Sequence, residues 1–89
     1  MIPNFSFDLF PNPNDGTNIN ISLSANEGEE IVVVVFDATG KESFSKVIIT
    51  QNSGENVFAI DPSSKLASGI YLISATSKQE ICNKKMIVK

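Results

Sequence analysis

Apolar and polar residues alternate with a period of two along most of this chain, and that spacing decides the fold class. Phe5, Phe7 and Leu9 alternate with Ser6 and Asp8, and Ile19, Ile21 and Leu23 with Asn20 and Ser22. Phe58 and Ile60 flank Ala59, and Tyr71, Ile73 and Ala75 alternate with Leu72 and Ser74. Side chains at i and i+2 share a face only in an extended strand, so each run has one face for a core. Residues 31–36 are apolar on both faces and β-branched up to Phe36, which suits a central strand. Turn residues separate the runs at about 8–12-residue intervals, the mark of a sandwich or barrel. These turns are Pro11 to Gly16, Asn26-Glu27-Gly28, Asp37 to Gly40, Asn52-Ser53-Gly54, Asp61 to Gly69 and Ser77-Lys78-Gln79.

The pattern predicts strands over roughly 5–10, 18–24, 31–37, 43–50, 56–60, 70–77 and 80–88. The expected fold class is all-β, a seven-stranded antiparallel immunoglobulin-like β-sandwich in one domain over 1–89, ordered from about residue 5. A short 3₁₀ turn fits only at Pro62 to Leu66. The expected core is Phe5, Phe7, Leu9, Ile19, Ile21, Leu23, Val33, Val35, Phe58, Ile60, Leu66, Tyr71 and Ile73, with Phe10 and Phe36 facing outward. Each large side chain buried is worth about 1.5–3 kcal/mol. The register of the last strand stays open: Ile81 and Ile87 share a face with Lys85, and Cys82, Met86 and Val88 share one with Lys84. A β-bulge would let its apolar face switch midway.

At 89 residues with 42% hydrophobic side chains, the chain can bury a core without metal or disulfide staples. Its net charge of -3 argues against nucleic acid, which demands a basic stripe. Its one basic cluster is Lys78, Lys84, Lys85 and Lys89. Cys82 is the single cysteine, so no intrachain disulfide forms, and with no His in the chain it has no imidazole to activate it. It reads as a small apolar strand residue. The longest apolar run, Ile31 to Phe36, is far short of the ~20 residues a membrane helix needs. Met1 to Asn4 lacks the basic head and apolar stretch of a signal peptide, which fits either a cytoplasmic protein or a piece of a longer exported chain.

No catalytic constellation appears, so no enzyme, cofactor, metal or small-molecule substrate is expected. The absence of His removes Ser–His, Cys–His and His-ligated metal chemistry. Pro11 to Gly16 faintly resembles a calcium loop, but Pro11 and Pro13 occupy its first and third ligand positions. Glu27, Glu29 and Glu30 cluster on a turn and read as a solvated corner. Asn4-Phe5-Ser6 and Asn20-Ile21-Ser22 match the glycosylation sequon, a pattern common by chance. A glycan-binding face needs exposed aromatic platforms, and the chain has no Trp and one Tyr. Tyr71, just after Gly69, has the placement of a tyrosine corner.

Four segments stand out together: Leu9-Phe10-Pro11-Asn12-Pro13-Asn14-Asp15-Gly16, Val35-Phe36-Asp37-Ala38-Thr39-Gly40-Lys41, Leu66-Ala67-Ser68-Gly69-Ile70-Tyr71 and Lys84-Lys85-Met86-Ile87-Val88-Lys89. Each has a structural reading of its own. Two prolines fix φ around Asn12 and Asp15-Gly16 reverses the chain, making a rigid exposed corner between the first two strands. Asp37 to Gly40 closes a tight turn. Leu66 plugs the core, Gly69 turns the backbone and Tyr71 opens an inner strand. The lysines around the apolar residues at the end of the chain are expected to add little to a core and to guard an edge. In this order and at these spacings, from about Phe5 to Lys89, the four segments resemble the C-terminal sorting domains of the type IX secretion system of Bacteroidetes.

The resemblance implies an address label at the end of a larger exported protein, carried behind an N-terminal cargo domain. It implies export through the periplasm to the cell surface or beyond. The implied partners are the outer-membrane type IX translocon and its shuttle or sortase proteins. The residues it marks for recognition are Pro11, Asn12, Pro13, Gly16, Asp37, Gly40, Leu66, Gly69, Tyr71, Lys84, Lys85, Val88 and Lys89. It gives Cys82 no role. Another class stays in view, an accessory glycan-binding or adhesion sandwich on an extracellular enzyme, as does a structural spacer of fibronectin type III character. An isolated sandwich of this kind also risks forming a homodimer through an open edge strand.

Overall fold

The computed structural model describes residues 7–60, 62, 65–78 and 81–89. Seven antiparallel strands follow one another: β1 (Phe7–Phe10), β2 (Ile19–Ala25), β3 (Glu30–Phe36), β4 (Glu42–Ile49), β5 (Gly54–Ile60), β6 (Gly69–Thr76) and β7 (Ile81–Val88). They form two sheets, ordered β1-β2-β5 and β4-β3-β6-β7, and no helix occurs among the described residues. The architecture is the expected β-sandwich, with each strand within about two residues of its place in the sequence pattern. A constant-type immunoglobulin domain keeps its fourth strand with the first, second and fifth. Here β4 pairs with β3 instead, giving three strands against four.

A tight hairpin sets that allegiance. Asp37 accepts at Oδ1 from the Thr39 amide (2.9 Å), the Thr39 hydroxyl (2.6 Å) and the Lys41 amide (3.0 Å). Gly40 follows at φ 87°, the left-handed residue such loops require, and the register shifts between Val35 and Phe36 as the strands leave it. The chain thus returns in the same sheet. The β2–β3 and β4–β5 connections at the opposite end cross between sheets and are tied by two buried side chains. The Thr50 hydroxyl accepts from the Glu29 amide (2.8 Å) and donates to the Asn26 carbonyl. Asn56 accepts from the Gln51 and Asn52 amides at 3.0 and 3.2 Å. Both satisfy backbone groups that a buried loop would otherwise leave unpaired.

The sheets close over Phe7, Ile19, Ile21, Leu23 and Ile60 from one side, and Ile31, Val33, Val35, Ile48, Tyr71, Ile73, Ala75, Met86 and Val88 from the other. Leu9, Phe58, Leu66 and Cys82 pack half-buried at the margin. The Tyr71 hydroxyl donates to the Ala67 carbonyl at 2.7 Å, so the tyrosine corner is present. Phe10 and Phe36 lie on the outer faces, Phe10 exposed and Phe36 half-buried. Phe5, the start of the first strand, the sequon at Asn4, the 3₁₀ turn through Ser63 and Ser64, and Glu80 fall outside the described residues.

The last strand corrects two expectations. Its register against β6 runs unbroken from Gly69↔Val88 to Thr76↔Ile81, with no bulge. Ile81 and Ile87 therefore stay on the outer face, exposed. The tail is also core: Met86 and Val88 are 0% and 3% exposed. Because the side-chain period is two, the same alternation that exposes Lys85 drives Met86 and Val88 inward. Met86→Ala is expected to cost about 2–5 kcal/mol of stability, read as a lower urea midpoint; an unchanged midpoint would contradict this packing.

Candidate functional site

The site is built on a problem of hydrogen bonding. β7 is an edge strand, and every second residue turns its N–H and C=O away from β6. The segment after β1 answers it. The Phe10–Pro11 and Asn12–Pro13 peptide bonds are cis, and the chain leaves the three-stranded sheet to lie along β7 of the other. The Asn14 amide donates to the Ile87 carbonyl and the Lys89 amide donates to the Asn14 carbonyl, both at 2.9 Å. This is one parallel bridge, paired with Val88. Two residues back, a second bridge would require a donor for Lys85 C=O and an acceptor for Ile87 N–H. The Asn12 side-chain amide supplies both, with Nδ2 donating to the Lys85 carbonyl at 3.0 Å and Oδ1 accepting from the Ile87 amide at 2.9 Å. A carboxamide carries the same donor and acceptor as a peptide group, so Asn12 extends the ladder without its backbone.

Asn14 holds the segment's shape. It is 2% exposed, accepts from the Gly16 amide at 2.8 Å and donates from Nδ2 to the Pro11 carbonyl at 3.2 Å. Gly16 then has no substitute. Its φ is 86°, and a Cβ there would stand 2.5 Å from the Leu66 carbonyl oxygen and 3.2 Å from Val88 Cγ1. The Leu66 amide donates back to the Gly16 carbonyl at 3.1 Å. The Pro11–Gly16 corner is therefore a clasp on the tail, where a free-standing exposed corner was expected. Pro11, Asn12 and Pro13 line its solvent side.

The other marked residues gather around it. Gly69 lies opposite Val88 and Tyr71 opposite Met86, so the third segment flanks the tail from its other side. Gly69 has φ 154° and open space where a Cβ would stand. Asp37 and Gly40 share an open, largely apolar cleft of about 510 Å³ with Phe36, Ile70, Tyr71, Leu72 and Lys85. Three segments thus meet at the tail, and the second reaches it through the cleft. Lys84 stands apart. Strand alternation sends it to the face opposite Lys85, where Nζ is 3.9 Å from Asp8 Oδ1 on β1. Both groups are well exposed, so the pair adds little stability. The basic cluster of the sequence is divided between two faces. Asn14 was not among the residues singled out for the site; its one sequence signal is its spacing of two from Asn12 between prolines, the period of a strand.

Two carboxylates titrate low. Asp15 Oδ1 accepts from the Asn18 and Thr17 amides and the Thr17 hydroxyl, each at 2.9 Å. Donors that favour the charged form, the Asn18 amide first, lower its pKa to about 2. The Thr39 hydroxyl, then the Lys41 amide, hold Asp37 below the usual carboxylate range.

For Asp15 the folded value lies below the unfolded one of ~3.9. Its contribution is complete above that value and is lost as the pH falls through about 2. A carboxyl titration followed by NMR is expected to place Asp15 near that lower value, and an ordinary carboxylate value would show the turn to be open. Asn12→Ala removes two bonds to β7, a loss of about 1–3 kcal/mol at ~0.5–1.5 each. Hydrogen exchange at the Ile87 amide should accelerate selectively. Unchanged protection there would mean that the side chain does not hold the tail.

A family model described as a secretion system C-terminal sorting domain matches residues 8–89. It spans the clasp, the hairpin turn, the tyrosine corner and the tail. A search of curated proteins finds no match. The matched family is one of sorting signals and not of enzymes, and nothing in the comparisons supports a glycan-binding module. The chain belongs to the secretion system C-terminal sorting domain family: it is a sorting signal for type IX secretion, part of a cargo-bearing secreted protein bound for the cell surface or the extracellular space.

Proposed function

We propose that the outer-membrane type IX translocon, with its shuttle or sortase proteins, reads this chain at the end of the sandwich where the clasped tail lies. The cargo would precede β1 and cross the periplasm with the folded domain, and residues 1–89 would act as one unit. The carrying observation is the convergence itself: Asn12 and Ile87, 75 positions apart, are joined through one side-chain amide. Here Asn12 and Asn14 make four hydrogen bonds with the last five residues. Lys85 then projects from a strand held along both edges and Lys89 sits just past its end, tied to Asn14, which lowers the entropy cost of being bound. In this reading the domain performs no chemistry and its role is to be recognised.

Residues 1–89 fused to an inert periplasmic protein should carry it to the surface of a host with a type IX system. Retention in the periplasm, beside an established signal that works, would refute the reading. Removing the tail cannot test the lysines, because Met86 and Val88 leave with them. Replacing Lys84, Lys85 and Lys89 together by Gln keeps the core, and should reduce surface delivery with little change in melting temperature. Undiminished delivery by that variant would remove the lysines from the signal.

A further inference from the structure

We infer that the outer face of the four-stranded sheet is a docking surface for a protein of the transport machinery, one presenting an apolar surface and a carboxylate that meets Lys85. This rests on the sorting-signal reading and names the surface through which it acts. The observation is an asymmetry between the two outer faces. On β1-β2-β5 the outward positions include Asp8, Asn20, Ser22, Ser24 and Glu55, as expected of a sheet with one face in water. On β4-β3-β6-β7 they include Val47, Ile49, Ile70, Leu72, Ile81 and Ile87, which are 38–63% exposed. Six of the eight large exposed apolar residues among those described lie on this one face. They contribute nothing to the core, and a solvated sheet would favour polar residues there. Large apolar side chains concentrated on one exposed face mark a contact.

Size and charge narrow the occupant. Four strands ~4.8 Å apart and eight residues long, at ~3.4 Å each, make a face of roughly 500 Å². Two copies meeting face to face would bury roughly 1,000 Å² in total, below the ~1,200 Å² at which stable interfaces begin. That scale suits a partner that binds and then releases. Lys85 is the one cation among the outward positions of these strands, beside the apolar cleft shared by Phe36, Ile70 and Leu72. It forms no ion pair among the described residues. Asp37 borders the same cleft but makes no ion pair with Lys85, so an occupant covering the ammonium is favoured when it brings a carboxylate of its own.

The test uses the fusion protein in a host with the secretion system. Ile70→Asp with Leu72→Asp is expected to lower surface delivery by about tenfold or more, as for a charge set into the centre of a contact. Val57→Asp, equally exposed on the other sheet, should deliver like the wild type. Lys85→Glu should fail where Lys85→Arg succeeds, and this pair leaves the apolar packing untouched should the double variant not fold. Normal delivery by a folded Ile70→Asp/Leu72→Asp variant, or by Lys85→Glu, overturns the inference. An isolated domain that sediments as a dimer, and becomes monomeric with Ile70→Asp/Leu72→Asp, overturns it in favour of a second copy. Failure of the wild-type fusion to reach the surface would instead overturn the sorting reading.

Discussion

The C-terminal strand of this domain is held on both sides, and the order of the tail depends on it. On one side β6 pairs with it along eight residues. On the other, Asn14 pairs through its backbone and Asn12 through its side chain, over the half of the strand that ends the domain. An edge strand presents alternate amides and carbonyls to water, where they fray or recruit another strand. Covering those of Lys85, Ile87 and Lys89 lets Met86 and Val88 stay in the core. The cover requires Gly16 to slip beneath Leu66, which in turn requires Asn14 to satisfy the Gly16 amide. The clasp, the inner segment and the tail are therefore one assembly, and the motif residues that appear unrelated in sequence are its parts.

Much of this fold could be read before any coordinates. The alternation of Ile19, Ile21 and Leu23, or of Tyr71, Ile73 and Ala75, is a local property and transfers directly into faces. Turns built on Asp37 and Gly40 are equally local. Long-range pairing is not encoded that way. The sheet to which β4 belongs depends on how tightly one hairpin closes. The inward place of Met86 and Val88 was hidden by lysines, because charge was weighed as a property of the segment although strand geometry assigns each residue its own side. Asn12 was marked but its action was not legible, since nothing in a sequence announces that a side-chain amide will stand in for a peptide group 75 residues away.

The two outer faces give the domain a direction. One carries Ser, Asn and acids and asks for water. The other carries most of the large exposed apolar side chains, with one lysine among its outward positions. The clasp end and the apolar face adjoin at the cleft bounded by Asp37, Leu72 and Lys85. A receptor that touched both would read two features that no single stretch of sequence contains. Asp37, kept ionised by the Thr39 hydroxyl, would remain a fixed negative mark at that border.

The bond between Asn12 and the tail also has a temporal meaning. A contact between Asn12 and Ile87 closes a loop of 75 residues, with the closure entropy of so long a span. A molecule stalled partway, with its sheets unassembled, has no finished terminal strand to show. The tail attains its posture only once both ends of the domain have met. The label is thus complete only in a chain whose two distant segments have come together.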